Sequence, residues 1–112
     1  MLARANRLAS ADDIRSTLRR GQRIAGQFTV THLYASGSSD PPRFGFVVSG
    51  KVGSAVTRNR VRRRLRHIAR EALDGLAPGT DVVIRALPDS VGATWASLQG
   101  EITRALSRRI RT

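Results

Sequence analysis

Apolar residues recur along this chain with two periods, and each change of period marks a new element. Val61, Leu65, Ile68 and Ala72 stack at i, i+4, i+7 and i+11, a narrow helical stripe within a helix predicted over residues 58–73. Thr57 stands where an N-cap belongs, and Asp74-Gly75 with the Ala77-Pro78-Gly79 breaker closes the helix. Upstream, Ser10 with Asp13 three residues on resembles a capping box. Gly21 supplies a stop, so residues 11–20 read as a short helix with Ile14 and Leu18 on one face. The last helix is expected over 94–110, with Trp95, Leu98, Ile102, Ala105 or Leu106, and Ile110 at helical spacing and Trp95 in the core. Gly100 weakens it by about 1 kcal/mol relative to Ala.

Between the helices the period falls to two. Over 27–35 Phe28, Val30, His32 and Tyr34 alternate with Thr29, Thr31 and Leu33, as in a half-buried strand. Residues 37–42, rich in Gly, Ser, Asp and Pro, read as a hairpin connection to a second strand over 43–49 (RFGFVVS). Residues 81–87 (DVVIRAL) read as a fully buried strand. Strand, helix, strand in this order implies a crossover between parallel strands.

Charge changes the picture most at the middle helix. Arg58-Asn59-Arg60-Val61-Arg62-Arg63-Arg64-Leu65-Arg66 holds six arginines, with no acidic residue before Glu71. At 100° per residue Asn59, Arg63, Arg66 and Arg70 fall opposite the apolar stripe while Arg60, Arg62 and Arg64 flank it, so the basic surface covers most of the helix. Cations near a helix N-terminus are unfavourable by roughly 0.3–1 kcal/mol each when unpaired, and become favourable once phosphates dock. The whole chain repeats the bias. It has nineteen Arg, one Lys (Lys51) and eight Asp plus Glu, for a net charge of +12. A bound polyanion is the expected partner.

The remaining composition excludes other classes. At 112 residues and 40% hydrophobic, residues 1–112 form a single domain with its own core rather than a disordered basic tail. No apolar stretch approaches the roughly 18 residues of a membrane span and no signal segment opens the chain, so a cytoplasmic protein is expected. Without cysteine, and with only His32 and His67 as isolated histidines, no metal site is expected in the protein. No nucleophile, base and carboxylate grouping suggests a catalytic site of its own. What remains is a binding surface, with the arginine helix as groove and the first helix and first strand as a platform for bases. Phe28 and Tyr34 are read as core residues. His32 is open between a satisfied, partly buried histidine and a ligand contact.

The run over 44–66 (FGFVVSGKVGSAVTRNRVRRRLR), with Arg7-Leu8, Arg20-Gly21 and Asp81-Val82-Val83-Ile84 in the same order, resembles the protein component of bacterial ribonuclease P over nearly the whole chain. The resemblance implies an α+β fold of the ribosomal-protein S5 domain 2-like class: a four-stranded sheet packed with about three helices on one face, and a left-handed βαβ crossover against the usual hand. It implies a subunit that binds a catalytic RNA and the 5′ leader of precursor tRNA, with hydrolysis carried out by RNA-held magnesium. Lys51, Arg58, Asn59, Arg60 and Arg63 would face the catalytic RNA. Arg62 and Arg66 would line the leader cleft, with Ile14, Leu18 and His32 as its other wall. Aromatics are common in the family at the positions of Ile14, Leu18 and His32, and a second lysine at that of Gly50. The alternative is a ribosomal or general RNA-binding structural protein using the same surface.

Overall fold

The structure is a computed structural model that describes residues 2–107. Its elements in chain order are α1 (Ala11–Arg20), β1 (Gln22–Ala25), β2 (Thr29–Ala35), β3 (Arg43–Val47), α2 (Ala55–Ala72), β4 (Thr80–Ala86) and α3 (Trp95–Ser107), with short 3₁₀ turns between them. The strands form one sheet in the order β1-β2-β4-β3. β2 is antiparallel to both neighbours, and β3 runs parallel to β4 with α2 in the connection. This is the expected four-stranded α+β sheet with three helices.

Two expectations about the strands are corrected. β1 was not foreseen, because Gln22-Arg23-Ile24-Ala25 buries only Ile24 and so carries no visible alternation. It is fixed instead by pairing, with Gln22 opposite Leu33 and Ala25 opposite Val30. The Glu101 carboxylate of α3 secures the turn, accepting hydrogen bonds from the backbone N–H groups of Gln27, Phe28 and Thr29 and from the Thr29 hydroxyl. Residues 37–42, in turn, do not join a hairpin. β4 lies between β2 and β3, and the loop is tied across its start: Ser36 N–H donates to Gly79 O and Gly79 N–H to Asp40 O, at 2.8 and 2.7 Å. Gly79 has φ +80°, and a Cβ there would collide with the Ser38 carbonyl, so glycine is required.

Alternation sorts the sheet into two faces. Phe44, Leu33, Val82 and Ile84 join Val61, Leu65, Ile68, Leu98 and Ile102 in one buried cluster beneath α2 and α3. Leu8, Val30 and Val83 are also buried, outside that cluster, on the face that α1 covers. The helices therefore flank both faces, not one as the resemblance implied. Gly45 permits the α1 approach, since a Cβ there would stand 3.2 Å from Ile14 Cγ1 and from the Leu8 carbonyl. Here Arg43 forks onto Asp81, with Nε and Nη2 each 3.0 Å from a carboxylate oxygen, and lies 3.6 Å from Asp13 of α1. The pairing with Asp81 raises the Arg43 pKa further above its ordinary value.

Helix ends follow local chemistry. Ser10 caps α1 by accepting from Asp13 N–H, with Asp12 and Asp13 in the first turn and Arg19 and Arg20 in the last, as the helix dipole favours. α2 starts earlier than expected. Its cap is Ser54, whose hydroxyl accepts from Thr57 N–H at 3.3 Å, and Thr57 sits inside the first turn. Ala69 is fully buried and Ala72 only half-buried, so the stripe ends one turn sooner. In α3 the core positions are Leu98, Ile102, Ala105 and Leu106; Ile110 and the basic residues Arg108, Arg109 and Arg111 lie outside the described residues.

Candidate nucleic-acid interface

Among the described residues, α2 presents its arginines without carboxylate partners. Val61, Leu65, Ile68 and Ala69 bury one side of the helix; Arg60, Arg63, Arg66 and Arg70 are exposed, and Arg58, Arg62 and Arg64 are half-buried along the flanks. The salt bridges among the described residues engage Arg15 and Arg43, none an arginine of α2. Because the helix begins at Ala55, the arginines start one turn in from the free N–H groups, and the first turn itself holds no acid. Lys51 is exposed in the turn just before, with Val52 buried beneath it. The Nε of Arg58 is buried with no hydrogen-bond partner among the described residues.

One flank of α2 borders a groove of about 550 Å³ walled by Arg62 and Arg66 on one side and by Leu8 and Ile14 on the other. Phe44, Gly45 and Phe46 of β3 form its floor. The N-terminal segment closes the edge of β3 through Leu8 N–H to Phe44 O at 2.8 Å. Arg62 donates to Asn59 Oδ1 at 3.1 Å across one turn of the helix. Phe46 was missed as a candidate. Its aromatic ring stacks on Phe44 at 6.3 Å between centroids and is half-buried. Only the placement of α2 beside β3 reveals it, although the Phe-Gly-Phe spacing already put both rings on one strand face.

Two expected residues do not line this groove. Leu18 is half-buried one turn beyond Ile14 on α1. His32 is 5% exposed on β2, paired across the sheet with Arg23 and Val83. Burial pushes its pKa down, reinforced by the cations of Arg85 and Arg23, so the imidazole is held neutral. Both ring nitrogens lack a hydrogen-bond partner among the described residues. Arg23 and Arg85 are exposed beside it, giving the sheet a basic surface that the sequence pattern did not single out. Among the described residues no three His, Cys, Asp or Glu stand together as a metal site, and no helix is long and apolar enough to cross a membrane.

The α+β domain thus sets a row of arginines, unpaired among the described residues, beside an apolar, aromatic-floored groove, a surface whose charge suits a polyanion. The family model for ribonuclease P matches residues 2–109. Ribonuclease P protein components of Clavibacter michiganensis and Beutenbergia cavernae are each 46% identical, the first over 100% of this chain and 99% of its own length, the second over 96% and 90%. The structures of the ribonuclease P proteins of Staphylococcus aureus and Thermotoga maritima share the fold. Their TM-scores are 0.82 and 0.80 at 22% and 23% identity, covering 93% and 91% of this chain and 94% and 96% of theirs. This chain belongs to the ribonuclease P protein component family, and its general role lies in ribonuclease P and tRNA processing.

Proposed function

We propose that residues 1–112 act as a single RNA-binding domain, the cytoplasmic protein subunit that binds the catalytic RNA of ribonuclease P and the 5′ leader of precursor tRNA. The observation that carries this reading is the row of α2 arginines with no carboxylate partner among the described residues, set beside a groove with an aromatic floor. Lys51, Arg58, Asn59, Arg60 and Arg63 face the catalytic RNA from the top and start of α2. The leader lies in the groove between Arg62 and Arg66 and the wall led by Ile14, with Leu18 and the basic sheet around His32 continuing its path. Phe46 takes the stacking role that aromatics at Ile14, Leu18 or His32 would otherwise fill. The bond is cleaved by the RNA with its own magnesium. The protein's contribution is to neutralise phosphates where catalytic RNA and substrate crowd together, which arginine forks do well. Family membership sets aside the ribosomal alternative.

The test is a binding measurement. Arg58→Ala with Arg60→Ala lowers affinity for ribonuclease P RNA and reduces the log–log salt slope by about 0.7–0.9 per lost phosphate contact, with the thermal midpoint unchanged. Wild-type affinity at moderate salt contradicts the assignment. Arg62→Ala with Arg66→Ala, in contrast, reduces the preference for precursor over mature tRNA; equal loss for both substrates points to non-specific charge.

A further inference from the structure

The second flank of α2 carries a different grouping. Trp95, the chain's one tryptophan, opens α3 and is 38% exposed, so it is not the core residue that its helical spacing suggested. The His67 ring of α2 meets it edge-on, 5.3 Å between centroids and 79° between planes. The guanidinium carbon of Arg64 lies 6.0 Å from the indole centroid, within cation–π range. Arg64 is itself anchored through Nη2 to the Ala93 carbonyl at 2.8 Å. The indole is therefore held in place by α2 while the residue stays 38% exposed. Packing alone does not account for this, since an aliphatic side chain would cover the Arg64 stem without exposing a large aromatic surface.

The charges around Trp95 are mostly positive. Arg60, one turn before Arg64 on the same flank, is exposed and has no ion pair among the described residues. Two acids lie on this side. Glu71 accepts from Gln99 Nε2 at 3.3 Å, and Asp89 is exposed in the 3₁₀ turn that precedes α3. An exposed aromatic surface bordered by arginines is the chemistry that recognises a nucleobase with its phosphate. A base-paired nucleotide hides its faces in the stack, so the occupant must be unpaired.

We propose that Trp95, with Arg64 and His67 around it, stacks an unpaired nucleotide of the catalytic RNA. Arg62 and Arg64 are two residues apart, hence on roughly opposite sides of the helix, which places this site away from the leader groove. The proposal rests on the reading that α2 binds that RNA, and it adds a clamp. Backbone phosphates run along the top of α2, one base is gripped on the Trp95 flank, and the opposite flank is left for the leader.

The experiment is titration of the full chain with ribonuclease P RNA, following tryptophan fluorescence and affinity for wild type, Trp95→Ala and Trp95→Phe. RNA quenches the single indole. Trp95→Ala binds roughly tenfold more weakly, Trp95→Phe stays within about threefold of wild type, and neither changes the salt slope, because stacking releases no counterions. Thermal midpoints near wild type show that the loss is not unfolding, and Trp95→Phe serves as the fold-preserving variant. Unchanged fluorescence at saturating RNA, or wild-type affinity for Trp95→Ala, overturns the stacking site. Failure of the underlying reading looks different: Arg58→Ala with Arg60→Ala then binds as tightly as wild type, whatever the indole reports.

Discussion

Beneath α2 and α3 the sheet meets Leu65, Ile68, Leu98 and Ile102, all fully buried, against Phe44, Val82 and Ile84. On the α1 side it meets Thr17, His32 and the Arg43–Asp81 pair, with Val30, Val83 and Leu8 between them. The first face is apolar except for three buried threonines: Thr29 is satisfied by Glu101, Thr80 donates to the Ala77 carbonyl, and Thr31 Oγ1 has no hydrogen-bond partner among the described residues. The second is a patchwork in which each buried polar group depends on a specific partner, or, for His32, has none among the described residues. The larger apolar cluster therefore lies under α2 and seats the arginine helix. The edge of the α1 face forms the wall of the groove.

The difference can be broken most strongly from the apolar side. Leu65→Ala removes a fully buried side chain from the base of α2 and should cost roughly 2–5 kcal/mol in urea denaturation. A loss below about 1 kcal/mol would mean that α2 is not seated by this cluster. Asp81→Ala tests the polar face. It leaves the Arg43 fork without its two 3.0 Å acceptors, but Arg43 is 31% exposed and still has Asp13 nearby, so the cost should be about 1–3 kcal/mol. A loss equal to that of Leu65→Ala would erase the contrast between the faces.

The smallest effect is a pH dependence at His32. Its folded pKa lies below the ordinary 6.5, so in the window between the two values the unfolded chain binds the proton and the native state does not. Its contribution to stability is fully present above about pH 6.5 and is lost as pH falls toward the lowered folded value. Comparing wild type with His32→Leu by denaturation from pH 8 to pH 5, wild type should lose stability relative to the variant on acidification. Parallel curves would show that the histidine is solvated and titrates normally.

Both the contrast and the site were only partly legible in the amino-acid sequence. The α2 stripe was visible because period alone reports a buried face; the β2 alternation located a strand, but Thr29 to Leu33 are buried on both faces because α1 covers the side expected to be open, so the strand is not half-buried. β1 was not, since one buried isoleucine among polar neighbours makes no pattern and its register comes from β2. The insertion of β4 between β2 and β3 is a tertiary choice, tied by Gly79 to the loop that resembled a hairpin. Trp95 fell on the right helical spacing but at the first residue of α3, where a side chain leaning toward the N-terminus passes the end of the core and meets α2 instead. The arginine row was legible in full, because six arginines without an acid need no fold to be recognised. Phe46 as a groove floor was not, because it takes α2 lying beside β3 to make it one.

The most direct measurement is single-turnover cleavage of a precursor tRNA by bacterial ribonuclease P RNA at low magnesium, with wild-type protein, with the Arg58→Ala, Arg60→Ala protein, and with none. Wild-type protein should restore removal of the 5′ leader at the mature end, and the double variant, at the same concentration, should not. Wild-type protein that binds the RNA and leaves cleavage unchanged would contradict it.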